Sequence, residues 1–93
     1  MRLKTEEIEI IKKAVALLDP QAYVYLFGSR RDPEKKGGDI DLLILSSHLK
    51  NSDSLKILQY IFTELEEQKI DIIIAKDTSD PFVQLALESA IKL

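Results

Sequence analysis

The stretch Gly38-Asp39-Ile40-Asp41-Leu42-Leu43-Ile44 decides how the rest of this 93-residue chain is interpreted. Its branched and apolar residues are typical of a β-strand that begins with two acids. Because side chains alternate across a strand, Asp39 and Asp41 share one face, and the isoleucine between them faces the core. Two carboxylates about 7 Å apart repel each other unless water or a cation neutralises them. Oxygen ligands of this kind suit magnesium.

Upstream, residues 22–27 are aromatic and branched, which predicts another strand. The pair Gly28-Ser29 ends this strand. A glycine turn lets the backbone approach a ligand, and its amides, with the serine hydroxyl, can hold phosphate oxygens. An ordinary strand-ending turn is the alternative. The polar loop from Arg30 to Gly38 carries a cluster of basic residues that suits a small anion, although a solvated loop has the same composition. The cluster comprises Arg30, Arg31, Lys35 and Lys36.

Downstream, residues 70–75 form a strongly apolar segment that predicts a third strand. Asp71 interrupts it at the second position, and an acid in such a strand disfavours burial unless it is paired or binds a metal. If this strand lies beside the Asp39–Asp41 strand, Asp71 can reach the same cation. The alternative places Asp71 at an exposed strand start, where it meets solvent.

Three amphipathic helices complete the pattern. The first is predicted to begin at a Thr5 cap and to end at Asp19-Pro20. The second follows Ser52 or Asp53, and the third starts at Pro81 and continues through Ile91. The apolar positions of the second helix are Leu55, Leu58, Phe62 and Leu65, and those of the third include Phe82, Val83, Ala86, Leu87 and Ala90. Core packing accounts for these positions; a partner surface at Val83, Leu87 and Ile91 is the alternative.

The predicted order is helix, strand, loop, strand, helix, strand, helix. It describes a single α/β domain over residues 1–93, with a small three-stranded sheet flanked by helices. The pattern itself does not decide between a parallel and a mixed sheet.

Composition narrows the function classes. A formal net charge of −3 argues against bulk nucleic-acid binding, which needs many basic residues. The chain has no cysteine, no signal-peptide pattern at its start and no apolar run of ~20 residues, so we expect a cytoplasmic protein that does not enter a membrane. The single histidine, His48, is expected to be solvated.

In combination, Leu26-Phe27-Gly28-Ser29-Arg30, the Gly38–Ile44 stretch and Asp71 resemble the DNA polymerase beta-like nucleotidyltransferase superfamily. Within it, the chain looks like the minimal nucleotidyltransferase (MNT) domains of prokaryotes. The resemblance extends over nearly the whole chain. It implies the nucleotidyltransferase fold with a mixed sheet.

The resemblance also implies roles for particular residues. Asp39 and Asp41 match the family's metal-binding pair, and Asp71 matches its third carboxylate, which holds one metal and activates the attacking hydroxyl. Gly28 and Ser29 match the turn that binds the triphosphate. Arg30 matches a basic residue after that turn, and Arg31 is a substitute for a second arginine. The implied cofactors are two Mg²⁺ ions, with ATP as substrate.

MNT domains that resemble this chain often pair with a HEPN-domain toxin. The resemblance therefore implies an antitoxin that moves AMP from ATP onto a protein hydroxyl of its HEPN partner. A second hypothesis is a binding module that keeps the fold and neutralises a partner by contact, favoured by departures from the family pattern at Asp32 and Gly38. A small-molecule transferase of the aminoglycoside-modifying kind would need a further domain.

Overall fold

A computed structural model describes residues 4–27, 40–65 and 69–93 of the chain. Three helices and four strands alternate along it. In chain order they are α1 (Thr5–Ala16), β1 (Tyr23–Phe27), β2 (Ile40–Leu45), α2 (Asp53–Glu64), β3 (Ile70–Ala75), α3 (Pro81–Ser89) and β4 (Ile91–Lys92). The strands form one sheet in the order β3-β2-β1-β4. β1 runs antiparallel to β2 and β4, whereas β2 and β3 are parallel. The domain is therefore α/β with a mixed sheet.

The fourth strand corrects the predicted three-stranded sheet. Ile91, predicted as helical, lies in β4 and pairs with Leu26, while the Leu93 amide donates to the Val24 carbonyl at 2.9 Å. The helix ends because Ala90 takes an extended conformation, φ −78° and ψ 155°. Apolar residues at helical spacing continue into this segment, and two residues are too few to show alternation. Pairing with the edge of β1 therefore determines the conformation of this segment, although its apolar spacing predicts a helix.

Helices cover both faces of the sheet. On one face, α1 and α2 enclose the main core, in which Leu26, Ile40 and Ile44 are fully buried. On the other face, α3 packs Val83 and Ala86 against Leu43. The predicted core orientation of the alternate β2 residues is confirmed, and β2 is also covered on its second face because α3 lies there.

The buried side of α2 differs from the predicted stripe. Ile57 and Ile61 are the buried residues, whereas Leu55 is 65% exposed and Leu58 and Phe62 are partly buried. Both the observed pair, Ile57 and Ile61, and the predicted stripe have helical spacing, because apolar residues cover more than half of the circumference of this helix.

The helix starts are set by side chains and backbone. α1 begins one residue after Lys4, whose amide donates to the Glu7 carboxylate at 2.9 Å, so the cap position is Lys4 and not Thr5. At α3, the Asp80 carboxylate accepts from the Phe82 amide at 2.7 Å, as expected of an Asp-Pro start. No helix in the described ranges is long and apolar enough to cross a membrane.

Ser46 connects two turns at the end of the sheet where β1 begins and β2 ends. Its buried hydroxyl donates to Asp19 Oδ2 at 2.5 Å and accepts from the Leu49 amide at 2.9 Å and the His48 amide at 3.1 Å. The Asp19 carboxylate also accepts from the Gln21 amide at 3.0 Å. The Ser46 hydroxyl, together with this amide, lowers the pKa of Asp19 below its ordinary value.

Candidate active site

The acids lie at the opposite end of the sheet, where β1 ends and both β2 and β3 begin. Because β1 is antiparallel to β2, its last residue, Phe27, pairs with Asp41. Because β3 is parallel to β2, Asp71 pairs with Asp41 on the other side. Asp41 therefore stands between Phe27 and Asp71 on three adjacent strands.

Asp41 and Asp71 share one face of the sheet. Register partners on neighbouring strands point the same way, and such strands are ~4.8 Å apart. Both residues alternate with Leu43 and Ile73, which pack under α3, so the acids lie on the α3 face. Asp41 is half-buried and Asp71 is exposed. The Ile40 amide donates to the Lys69 carbonyl at 3.1 Å, which fixes the two strands against each other beside the acids.

This donor set suits a divalent cation. Two carboxylates held side by side supply the hard oxygen ligands that magnesium prefers, and their mutual repulsion falls when a cation binds. Residues 4–27, 40–65 and 69–93 contain no group of three His, Cys, Asp or Glu residues placed to hold a metal. The third predicted carboxylate, Asp39, lies outside the described residues, so the structure brings together two of the three acids.

The predicted nucleotide-binding residues also lie outside the described part of the chain. They are Gly28, Ser29, Arg30 and Arg31, and the predicted loop to Gly38 follows them. The last described residue before them is Phe27. Its pairing with Asp41 means that the chain leaves β1 directly beside the acid pair.

Phe82 is a neighbour of the site that the sequence pattern did not identify. Its ring makes an edge-to-face contact with Phe27, with centroids 6.4 Å apart, and it is 50% exposed. Helical spacing suggested a core residue. The Asp80-Pro81 start is the signal that could have corrected this, because it places Phe82 in the first turn of α3, at the end of the sheet.

The other predicted minor features lie away from the acids. His48 is exposed, as expected, and follows β2 at the far end of the sheet. Two clefts of about 620 and 390 Å³ also lie toward that end, and both include Asp19 and Tyr23 among their lining residues. The acid pair is therefore spatially separate from these clefts.

A mixed α/β sheet with paired acids where two parallel strands begin suits cation-dependent group transfer, a class that includes nucleotidyl transfer. Comparison with protein families agrees, since the model of the nucleotidyltransferase domain matches residues 8–93. The chain belongs to this family, within the DNA polymerase beta-like superfamily. No curated protein matches the chain.

Membership establishes the general activity. The domain is a transferase of nucleotidyl groups, and the family generally uses a nucleoside triphosphate and a divalent metal ion.

Proposed function

We propose that this domain is a Mg²⁺-dependent adenylyltransferase that moves AMP from ATP onto a hydroxyl of a HEPN-domain partner, and that it acts as the antitoxin of that pair. Family membership supports the transfer of a nucleotidyl group. The resemblance to MNT domains, which often pair with a HEPN-domain toxin, supports a protein acceptor.

The observation that carries the proposal is the register of the acids. Asp71 lies directly beside Asp41 on the parallel strand, on the same face, and Phe27 on the other side leads into Gly28 and Ser29. Such an arrangement suits a site that holds cation and triphosphate together.

In this proposal Asp39, Asp41 and Asp71 hold two Mg²⁺ ions. When bound, the ions supply Lewis acidity that stabilises charge on the phosphoryl oxygens and lowers the pKa of the acceptor hydroxyl. The acceptor oxygen forms a bond to the α-phosphorus, and the bond from that phosphorus to the bridging oxygen breaks, so pyrophosphate leaves with the electron pair. Asp71, the exposed acid of the pair, accepts the hydroxyl proton.

The nucleotide is assigned to the segment after β1. Gly28 and Ser29 bind the triphosphate through backbone amides and the hydroxyl, and Arg30 and Arg31 neutralise its charge. This assignment follows from the family resemblance and from the position of Phe27 beside Asp41.

The test uses labelled ATP, Mg²⁺ and a HEPN-domain partner that forms a complex with this chain. Asp41→Asn should lower transfer of the label to the partner at least a hundredfold, because the site loses a cation ligand. Glu88→Gln, an exposed change on α3, should leave the rate unchanged and serves as the control. Removal of Mg²⁺ by a chelator should abolish transfer by the unaltered chain.

The outcomes separate the two functional hypotheses. Absence of label on a partner that binds the chain would contradict the proposal. If Asp41→Asn still neutralised the toxin at full strength, the chain would be a binding module that acts by contact.

A further inference from the structure

β3 stands at an edge of the sheet but has the composition of a central strand. Apart from Asp71 its residues are apolar, and strands with near-continuous apolar sequences are usually covered on both faces and flanked on both sides. Its register neighbours in β2 are 0% exposed: Leu42, Leu43 and Ile44. The equivalent β3 residues are each partly exposed: Ile72, Ile73 and Ile74. This difference marks a side of β3 that lacks a neighbour among the described residues.

The backbone of β3 leaves hydrogen-bonding groups on that side. The Lys69 carbonyl accepts from Ile40 and the Ala75 carbonyl accepts from Ser46 at 2.9 Å, so the odd-numbered residues face β2. In a parallel ladder alternate residues bond to the same neighbour. The amides and carbonyls of Ile70, Ile72 and Ile74 therefore point outward, and no residue in the described ranges hydrogen-bonds to them there.

The opposite edge of the sheet is protected by contrast. β4 has two residues, and Lys92 places its ammonium 4.5 Å from the centre of the Tyr23 ring. Short edge strands and lysines are common means of preventing strand addition. β3 has six residues and contains no proline, glycine or lysine. The two edges therefore differ in their capacity to accept another strand.

α2 extends the apolar surface above the β3 edge. Its Tyr60 and Glu64 line a cleft with α1, which identifies the side of α2 that faces α1. At ~100° per residue, Leu58 and Phe62 lie on the opposite side, and Leu55, 65% exposed, continues this stripe. Since α1 lies over β1 and β4 while α2 contacts β3, the stripe faces the β3 edge.

We propose that a second copy of this chain adds its own β3 to this edge, antiparallel, around a two-fold axis at Ile72. In this register Ile72 pairs with Ile72 of the second copy, and Ile70 pairs with its Ile74. Ile70, Ile72 and Ile74 of each copy then form backbone hydrogen bonds with the same three residues of the other copy, roughly six bonds in total. The α2 stripes meet above the strands, with Leu55 of one copy toward Phe62 of the other.

Symmetry favours a second copy as the occupant, and charge selects the register. The register places Asp71 opposite Ile73 of the second copy, whereas a shift that pairs Ile70 with Ile72 would set the two Asp71 side chains directly against each other. A two-fold contact uses the same surface on both copies and closes the assembly. Head-to-tail addition would have to join β3 to the two-residue β4, which offers few hydrogen bonds.

The test measures the mass of the unaltered chain by sedimentation equilibrium, with matched variants. At roughly 100 µM, a dimer with a micromolar Kd is the main species, and its mass should be twice the 10.6 kDa of the chain. Leu55→Lys should raise the Kd at least tenfold. Leu85→Lys, on α3 and also 65% exposed, should leave the Kd unchanged. Because both side chains are exposed in the single chain, neither substitution should prevent folding.

Amide hydrogen exchange provides a second readout that does not depend on substitutions. The Ile72 and Ile74 amides should become protected as the chain concentration rises through the Kd. A single-chain mass at 100 µM would overturn the proposal, as would Ile72 amides that exchange freely in the dimer or become protected only when another protein is added. Loss of the dimer in Leu85→Lys but not in Leu55→Lys would assign the contact to α3 and overturn it as well.

Discussion

At the scale of single residues, the acid pair is costly for the fold. Asp41 and Asp71 are register partners, and like charges opposite each other on neighbouring strands destabilise a sheet. An apolar or neutral residue at position 71 would suit the strand better, since its other positions are apolar. Under the proposed function, the retained charge serves to bind a cation.

Asp71→Asn should separate these two effects. Without divalent cations, the variant should be more stable than the unaltered chain by about 0.2–1 kcal/mol, because the repulsion is removed while the side-chain volume is kept. Transfer activity should fall as for Asp41→Asn. Urea unfolding in a chelator measures the first effect, with Glu88→Gln as the control. A less stable Asp71→Asn would show that the carboxylate stabilises the fold.

The Ser46 hydroxyl gives the fold a dependence on pH. Because the folded-state pKa of Asp19 is below its ordinary value of 3.8, the associated stability is present above that value and is lost as the pH falls through the lowered pKa. Ser46→Ala should lower stability at neutral pH and flatten the acid limb of the curve. Ser47→Ala, at an exposed neighbouring serine, should change neither. Urea unfolding from about pH 6 to about pH 2 compares the three proteins, and parallel acid limbs would contradict the assignment.

At the scale of elements, the sequence predicted the strands of the core better than the ends of the helices. β2 and β3 have the predicted bounds, because a run of branched residues between polar segments has few alternatives. β4 was missed because its two residues depend on the edge of β1, a contact that local sequence does not report. The stripe of α2 was predicted in part, because apolar residues occupy more than one side of the helix. Leu58, Phe62 and Leu65 pack against the core, whereas the fully buried residues are Ile57 and Ile61.

The helix starts offer a direct comparison between sequence pattern and structure. Asp80→Ala should cost about 1 kcal/mol, because the first turn of α3 loses the carboxylate that accepts from the Phe82 amide. Thr5→Ala should change stability by less than ~0.5 kcal/mol, because Thr5 is inside α1 and the cap position is Lys4. Chemical unfolding of both variants checks this, and equal losses would restore Thr5 as the cap.

At the scale of the whole molecule, the two polar clusters lie at opposite ends of the sheet. The Ser46 and Asp19 hydrogen bonds join turns at one end, and the acids occupy the other. The pairing of Asp41 with Asp71 could be expected from sequence on condition that β3 lay beside β2, and the structure supplies that condition. The places of Asp39, Gly28 and Ser29 could not be judged in the same way, since they lie outside the described residues.

The proposed two-fold contact would join the sites of two copies. Asp71 lies one position from the axis residue Ile72, so the two Asp71 side chains would occupy the same face of a continuous sheet of eight strands, diagonal to each other. Such a dimer would present its two acid pairs on the same side of the sheet.

The parallel pairing of β2 with β3 also has a consequence for how the chain reaches its native state. If β3 were shifted by one residue along β2, each β3 side chain would point to the opposite face of the sheet. Asp71 would then lie in the apolar layer beneath α1 and α2. An unpaired carboxylate in that layer would cost several kcal/mol, so misaligned folding intermediates would be unstable and would revert. Asp71, which the proposed function assigns to catalysis, would thus also disfavour misaligned pairing of β3 during folding.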